Sequence, residues 1–226
     1  LLTNAKWLLN KGYKNGPLIF GETPGTRRTT VTYDRITRWL HAGIALAVVI
    51  QLVSSQVMAV PQPGRIVSGA ESNFFAIHRW SGMSVLSLLV LHWLWGLAGH
   101  VPYGWGHLFP WFSGPRLRKL LSALKAMPDW LRGRLPAESN ETLPLAGAVH
   151  GLGLVVATAM ALTGSTIFFG MAPDGSMSGF IEVVREIHGF IANFIWAYFV
   201  GHVGMAILHQ WRGEPLMTKM FNLLAK

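Results

Sequence analysis

Arg185–Trp211 reads REIHGFIANFIWAYFVGHVGMAILHQW. From Ile187 onward it is apolar and long enough to cross a bilayer as a helix. His188 and His202 stand fourteen residues apart in it, which on a helix is roughly 21 Å along the axis and nearly a whole number of turns. Both rings therefore leave the same face, near opposite surfaces of a hydrocarbon core about 30 Å thick. Imidazoles inside a membrane helix are costly and usually functional. Two of them on one face, at two depths, predict axial ligands to two haems that move electrons across the membrane.

Three further stretches have the length and apolarity of spans: Ile36–Val60, Phe74–Gly99 and Leu145–Met171, with Ile187–Trp211 as the fourth. Pro61, Pro63 and Gly64 break the first from the second, and Pro173, Asp174 and Gly175 separate the third from the fourth. The expected fold is an all-α membrane bundle of four helices. Residues 1–32 read as an N-terminal arm and residues 33–226 as the bundle. No secretory signal pattern precedes the first span.

Of the 19 lysines and arginines, only Arg65, Arg79 and Arg185 fall at the ends joined by the two short connections. The others lie before or in the first turn of span one, between spans two and three, or after span four. The positive-inside rule predicts both termini and the middle loop in the cytoplasm. The net charge of +9 is then explained by topology and anionic lipid, with no need for nucleic acid. In the middle loop, Gly114-Pro115 opens a segment with basic and leucine-rich faces that ends before Pro128. It reads as a short interfacial helix on the inner leaflet.

The chain has no cysteine. That excludes disulfides, iron–sulfur clusters held by this chain and covalent c-type haem. Nine histidines are left as the strong ligands. A bis-histidine haem needs two rings at one depth on neighbouring helices. At the outer level only His78 and His188 are available. At the inner level His41, His92 and His150 all compete for His202, and depth alone does not choose. His41 to His150 is 109 residues, while His78 to His188 and His92 to His202 are each 110, a faint internal repeat.

RITRWLHAGIALAVVIQ, IHRWSGMSVLSLLVLHWLWGLAGH, FSGPRLRKLLSALKAM, HGLGL and the span-four stretch, taken in order, resemble the bacterial cytochrome b-561 family. Its superfamily includes the cytochrome b subunits of nickel–iron hydrogenases and formate dehydrogenases. The resemblance covers about residues 33–220. It implies two haems b, with His41 and His202 binding the inner one and His78 and His188 the outer. One departure stands out: His92 occupies the place of the arginine expected near the end of span two. Spans two and four then both read His-x13-His, as in the cytochrome b of cytochrome bc complexes, where His92 would replace His41.

Each histidine also has a plainer reading. His188 and His202 would then be polar packing between helices, and His41 and His78 interfacial groups satisfied by water. His92 and His150 read equally as donors to haem propionates, backbone carbonyls or a quinone headgroup; together they offer a third haem site. His100, His107 and His209 read as interfacial. Arg35 and Arg38 are candidate propionate or quinone-site contacts. No acid–base pair, nucleophile or phosphate loop points to substrate chemistry on this chain.

The expected function is therefore quinone-linked electron transfer, as a subunit of a larger oxidoreductase with a redox partner at the outer surface. The alternatives are a stand-alone cytochrome that passes electrons from a small diffusible donor to quinone, and a non-haem transporter or structural membrane protein.

Overall fold

The computed structural model describes residues 33–101, 104–131, 144–211 and 216–224. The proposed arm, residues 1–32, lies outside them. All the regular structure among the described residues is helical, and four helices are long and apolar enough to cross a membrane. They are α1 (Arg35–Val57), α2 (Gly69–Trp95), α5 (Pro144–Gly170) and α6 (Gly179–Trp211). Three other helices, α3 (Trp105–Leu108), α4 (Gly114–Leu131) and α7 (Leu216–Phe221), lie between or after them.

Polar caps outside the apolar runs set the helix starts. Asp34 accepts from the Thr37 backbone N–H and hydroxyl, at 2.9 and 2.5 Å, and opens α1. Ser68 and Glu71 form a reciprocal capping box that begins α2 five residues before the expected start of span two. Helix α6 begins eight residues before the expected span, because Gly179–Glu186 carries charges and fails an apolar reading while remaining helical. At its far end α2 widens into a π-helical turn, Gly96–His100.

Helix α4 corrects one expectation. It runs through Pro128 to Leu131 rather than ending before the proline. Pro128 lies in the last turn, so it forfeits one late hydrogen bond and does not end the helix there.

Helix α1 packs along α2, α5 packs along α6, and α2 joins the two pairs by lying on α5. The buried centre is Ala47 from α1, Val85 and Leu89 from α2, and Ala161 from α5. Helix α6 contributes nothing to that cluster. At one end of the bundle the two short connections touch. Gly175 has φ +84°, and a Cβ there would strike the Pro61 carbonyl, so both the turn and the approach require glycine. Outward-facing Leu46, Val53, Leu94, Phe190 and Val200 stay exposed, as lipid-facing side chains do, because hydrocarbon is as apolar as they are.

Candidate functional site

Helix α6 stands off from the buried centre, and the space this leaves is the site. A cavity of about 270 Å³ opens between α1, α2, α5 and α6. Its lining is apolar apart from a few groups, chiefly Gln51, His78, Arg79, Arg185 and His188. His78 from α2 and His188 from α6 face one another there, with ring centroids 6.5 Å apart and planes at 87°.

Each of these rings is held by a hydroxyl on a neighbouring helix. Ser54, 1% exposed, donates to the Gln51 carbonyl at 3.1 Å and lies 3.2 Å from His78 Nδ1. Thr163 donates to the Ala159 carbonyl at 2.9 Å and lies 2.9 Å from His188 Nδ1. A hydroxyl whose proton is already placed accepts the ring N–H. Both imidazoles are thereby set as Nδ1–H tautomers, which leaves each Nε2 lone pair free for a metal. Gln51 adds a tie from α1 to α2 by donating to the His78 carbonyl at 2.5 Å and the Ser81 hydroxyl at 2.6 Å.

The second histidine cluster lies toward the other end of α6. His202 has its ring centroid 6.3 Å from that of His41 and 5.1 Å from that of His150. Tyr198 stacks on His202 at 5.2 Å and 13°. A Cβ on Gly153 would fall inside the Tyr198 ring, so the missing side chain is what seats the tyrosine there. His41 also meets Phe221 of α7 at 5.6 Å. His150 Nδ1 is 2.6 Å from the Ala146 carbonyl. Among the described residues His92 makes no ring contact with His202, and its buried Nδ1 has no hydrogen-bond partner.

The remaining sequence candidates lie as follows. Arg38, 6% exposed, donates from its guanidinium to the Asn222 carbonyl and so ties α1 to the tail. Arg35 is exposed. His100 stacks on Trp95 with centroids 3.7 Å apart. His107 lies on α3, where burial pushes its imidazole down from the ordinary range.

A family model for prokaryotic cytochrome b561 matches residues 32–223, a stretch that contains all four apolar helices. The chain belongs to the prokaryotic cytochrome b561 family. It is a multi-pass bacterial membrane cytochrome of the b type, works in electron transfer and binds haem b. Membership sets aside the non-haem transporter reading. No curated protein and no solved structure matches the chain.

The residues of this cytochrome fit haem. Among the described residues no group of three or more histidine or acidic side chains gathers for a bare metal ion. A porphyrin supplies four ligands itself, so two histidines complete the iron. Nitrogens about 2 Å from one metal, each about 1.1 Å from its own ring centre, put the two centroids about 6.2 Å apart. The His78–His188 and His41–His202 separations meet that requirement; His150–His202, at 5.1 Å, is too short for it. Gly189 lines the cavity beside His188 with open space where a Cβ would stand, which leaves room for a flat macrocycle against the backbone.

Sequence reasoning missed Ser54, Thr163, Gln51 and Tyr198. Serine and threonine are common in membrane helices, usually bonded back to their own carbonyls. Nothing in their spacing marks the two that also reach a histidine.

Proposed function

We propose that this cytochrome carries two haems b and moves electrons across the membrane, between a quinone at the cytoplasmic side and a redox partner at the outer surface. One observation carries the reading: α6 presents two histidines, each across from a histidine of another helix at 6.3–6.5 Å. His78 and His188 hold the outer haem, and His41 and His202 the inner one. Haem b supplies the one-electron iron couple, and the chain supplies ligands, spacing and a dry shell. Ser54 and Thr163 hold the outer ligands in one tautomer. Tyr198 braces His202 from its side.

The geometry supports His41 rather than His92 as the inner partner, because His41 stands at the required separation and His92 makes no ring contact with His202. His92 and His150 then remain as polar groups beside the inner site. Quinone reduction takes up protons, and histidine is the side chain best suited to deliver them near neutral pH. The charge distribution supports cytoplasmic termini. It also supports α4, with its basic and leucine-rich faces, lying on the inner leaflet.

The test is haem quantification and reduced spectra of the purified cytochrome and its histidine variants. Two non-covalent low-spin haems per chain are expected, with His78→Ala and His188→Ala losing the same one. A single haem, or loss of different haems in those two variants, refutes the assignment. Purification of the native complex distinguishes the subunit reading from a stand-alone cytochrome: a stoichiometric outer partner is expected.

A further inference from the structure

Among the described residues Arg79 has no acidic side chain paired with it. It follows His78 on α2 and lines the cavity that His78 and His188 share. Its Nε is buried and has no hydrogen-bond partner among the described residues. The guanidinium lies 4.6 Å from the centroid of the Phe168 ring and 5.6 Å from that of Phe75. Aromatic faces offset part of the cost of partial burial, but they leave the Nε–H donor unsatisfied. The cavity lining holds a second arginine, Arg185, and no aspartate or glutamate. A half-buried guanidinium with an orphaned donor, in a cavity that supplies no acid, is built for an anion that arrives with the ligand.

We propose that Arg79 binds a propionate carboxylate of the outer haem and so fixes which edge of the macrocycle points toward the outer surface. This rests on the reading that His78 and His188 hold that haem. One helical step of about 100° separates Arg79 from His78, and both line the same cavity, so the guanidinium would be within reach of a group held by His78. The two phenylalanine rings lie against the guanidinium and restrict where it can move before the carboxylate arrives. The cation also stabilises the reduced iron and raises the haem's midpoint potential.

The experiment compares haem b with its dimethyl ester, in which both propionates are neutral. Apo-cytochrome and Arg79→Met and Arg79→Lys variants are loaded with each, and release to excess apomyoglobin is timed. Thermal unfolding of the apo forms is measured alongside. In the unaltered protein the ester should leave the outer site about tenfold faster than haem b, the size of one charge-assisted hydrogen bond. In Arg79→Met, ester and acid should leave at the same rate, and the potential of the outer haem should fall. Arg79→Lys should restore part of both. The apo form of Arg79→Met should be at least as stable as the original, since an unpaired cation has gone.

An ester effect of equal size with and without Arg79 overturns the proposal. So does a fall in apo stability parallel to the loss of haem, which would make Arg79 a packing residue. An ester that changes nothing while Arg79→Met lowers the potential identifies a lipid phosphate as the anion and overturns it too. If His78→Ala leaves every haem in place, the ligand assignment itself has failed, and the proposal fails with it.

Discussion

Removing the hydroxyl that orients an axial histidine should weaken one haem and spare the other. Thr163→Val keeps the branched shape of the side chain and deletes only the oxygen that lies 2.9 Å from His188 Nδ1. Ser54→Ala does the same for His78, at 3.2 Å. A buried donor left unsatisfied costs about 1–3 kcal/mol. Each ring, however, has a backbone carbonyl within reach as a second acceptor, Met160 for His188 and Gln51 for His78. Tilting toward it recovers part of the loss, so about 1.4 kcal/mol is expected from each substitution. That is tenfold in haem affinity, at the lower end of what second-shell partners contribute to metal sites. On the proposed pairing the two hydroxyls serve the two ligands of one haem and share no partner, so the double variant should lose about a hundredfold. Release to excess apomyoglobin reads the affinity change, and a potentiometric titration follows the iron. Loss of the N–H···O bond lowers the basicity of the imidazole, which destabilises the oxidised iron, so the midpoint of the outer haem should rise. Unchanged release of the outer haem, or equal acceleration of both haems, refutes the tautomer argument.

His41→Ala should abolish the inner haem, while His92→Ala should keep it and slow quinone-dependent oxidation; the opposite pattern in absorbance spectra would install His92 as the ligand. Gly153→Ala pushes a methyl into the Tyr198 ring and should cost about 1–3 kcal/mol by overpacking, read as a lower thermal midpoint in detergent, with the inner haem perturbed before the outer. Asp34→Ala removes the cap of α1 and should cost about 1 kcal/mol. Partial burial pushes the Asp34 carboxyl up, but its bonds to Thr37 outweigh this and hold it below the ordinary carboxylate range. Its contribution is therefore present at neutral pH and fades as pH falls through that lowered value, so the stability gap between Asp34→Ala and the parent should close in acid.

Haem release and thermal stability read different parts of the chain, and the same division separates what the linear order carries from what packing decides. Four spans follow from apolar length, and their expected direction from where lysine and arginine fall, because a bilayer punishes charge and unpaired backbone wherever they occur. The two depths of His188 and His202 follow from a fixed rise per residue on one continuous helix. Helix ends were less legible: α6 starts at Gly179 in a charged segment that no apolar scan includes, and α4 passes through Pro128. The choice among His41, His92 and His150 was closed to spacing altogether, since all three lie at one depth on different helices. Their distances from His202 depend on how each helix is rotated about its axis, and that is set by contacts such as α1 along α2 and Tyr198 against Gly153. The same holds for Ser54, Thr163 and Arg79. Residue type and position give each a depth, but only the packed helices show that two hydroxyls meet His78 and His188 and that the arginine faces a cavity with no acid of its own.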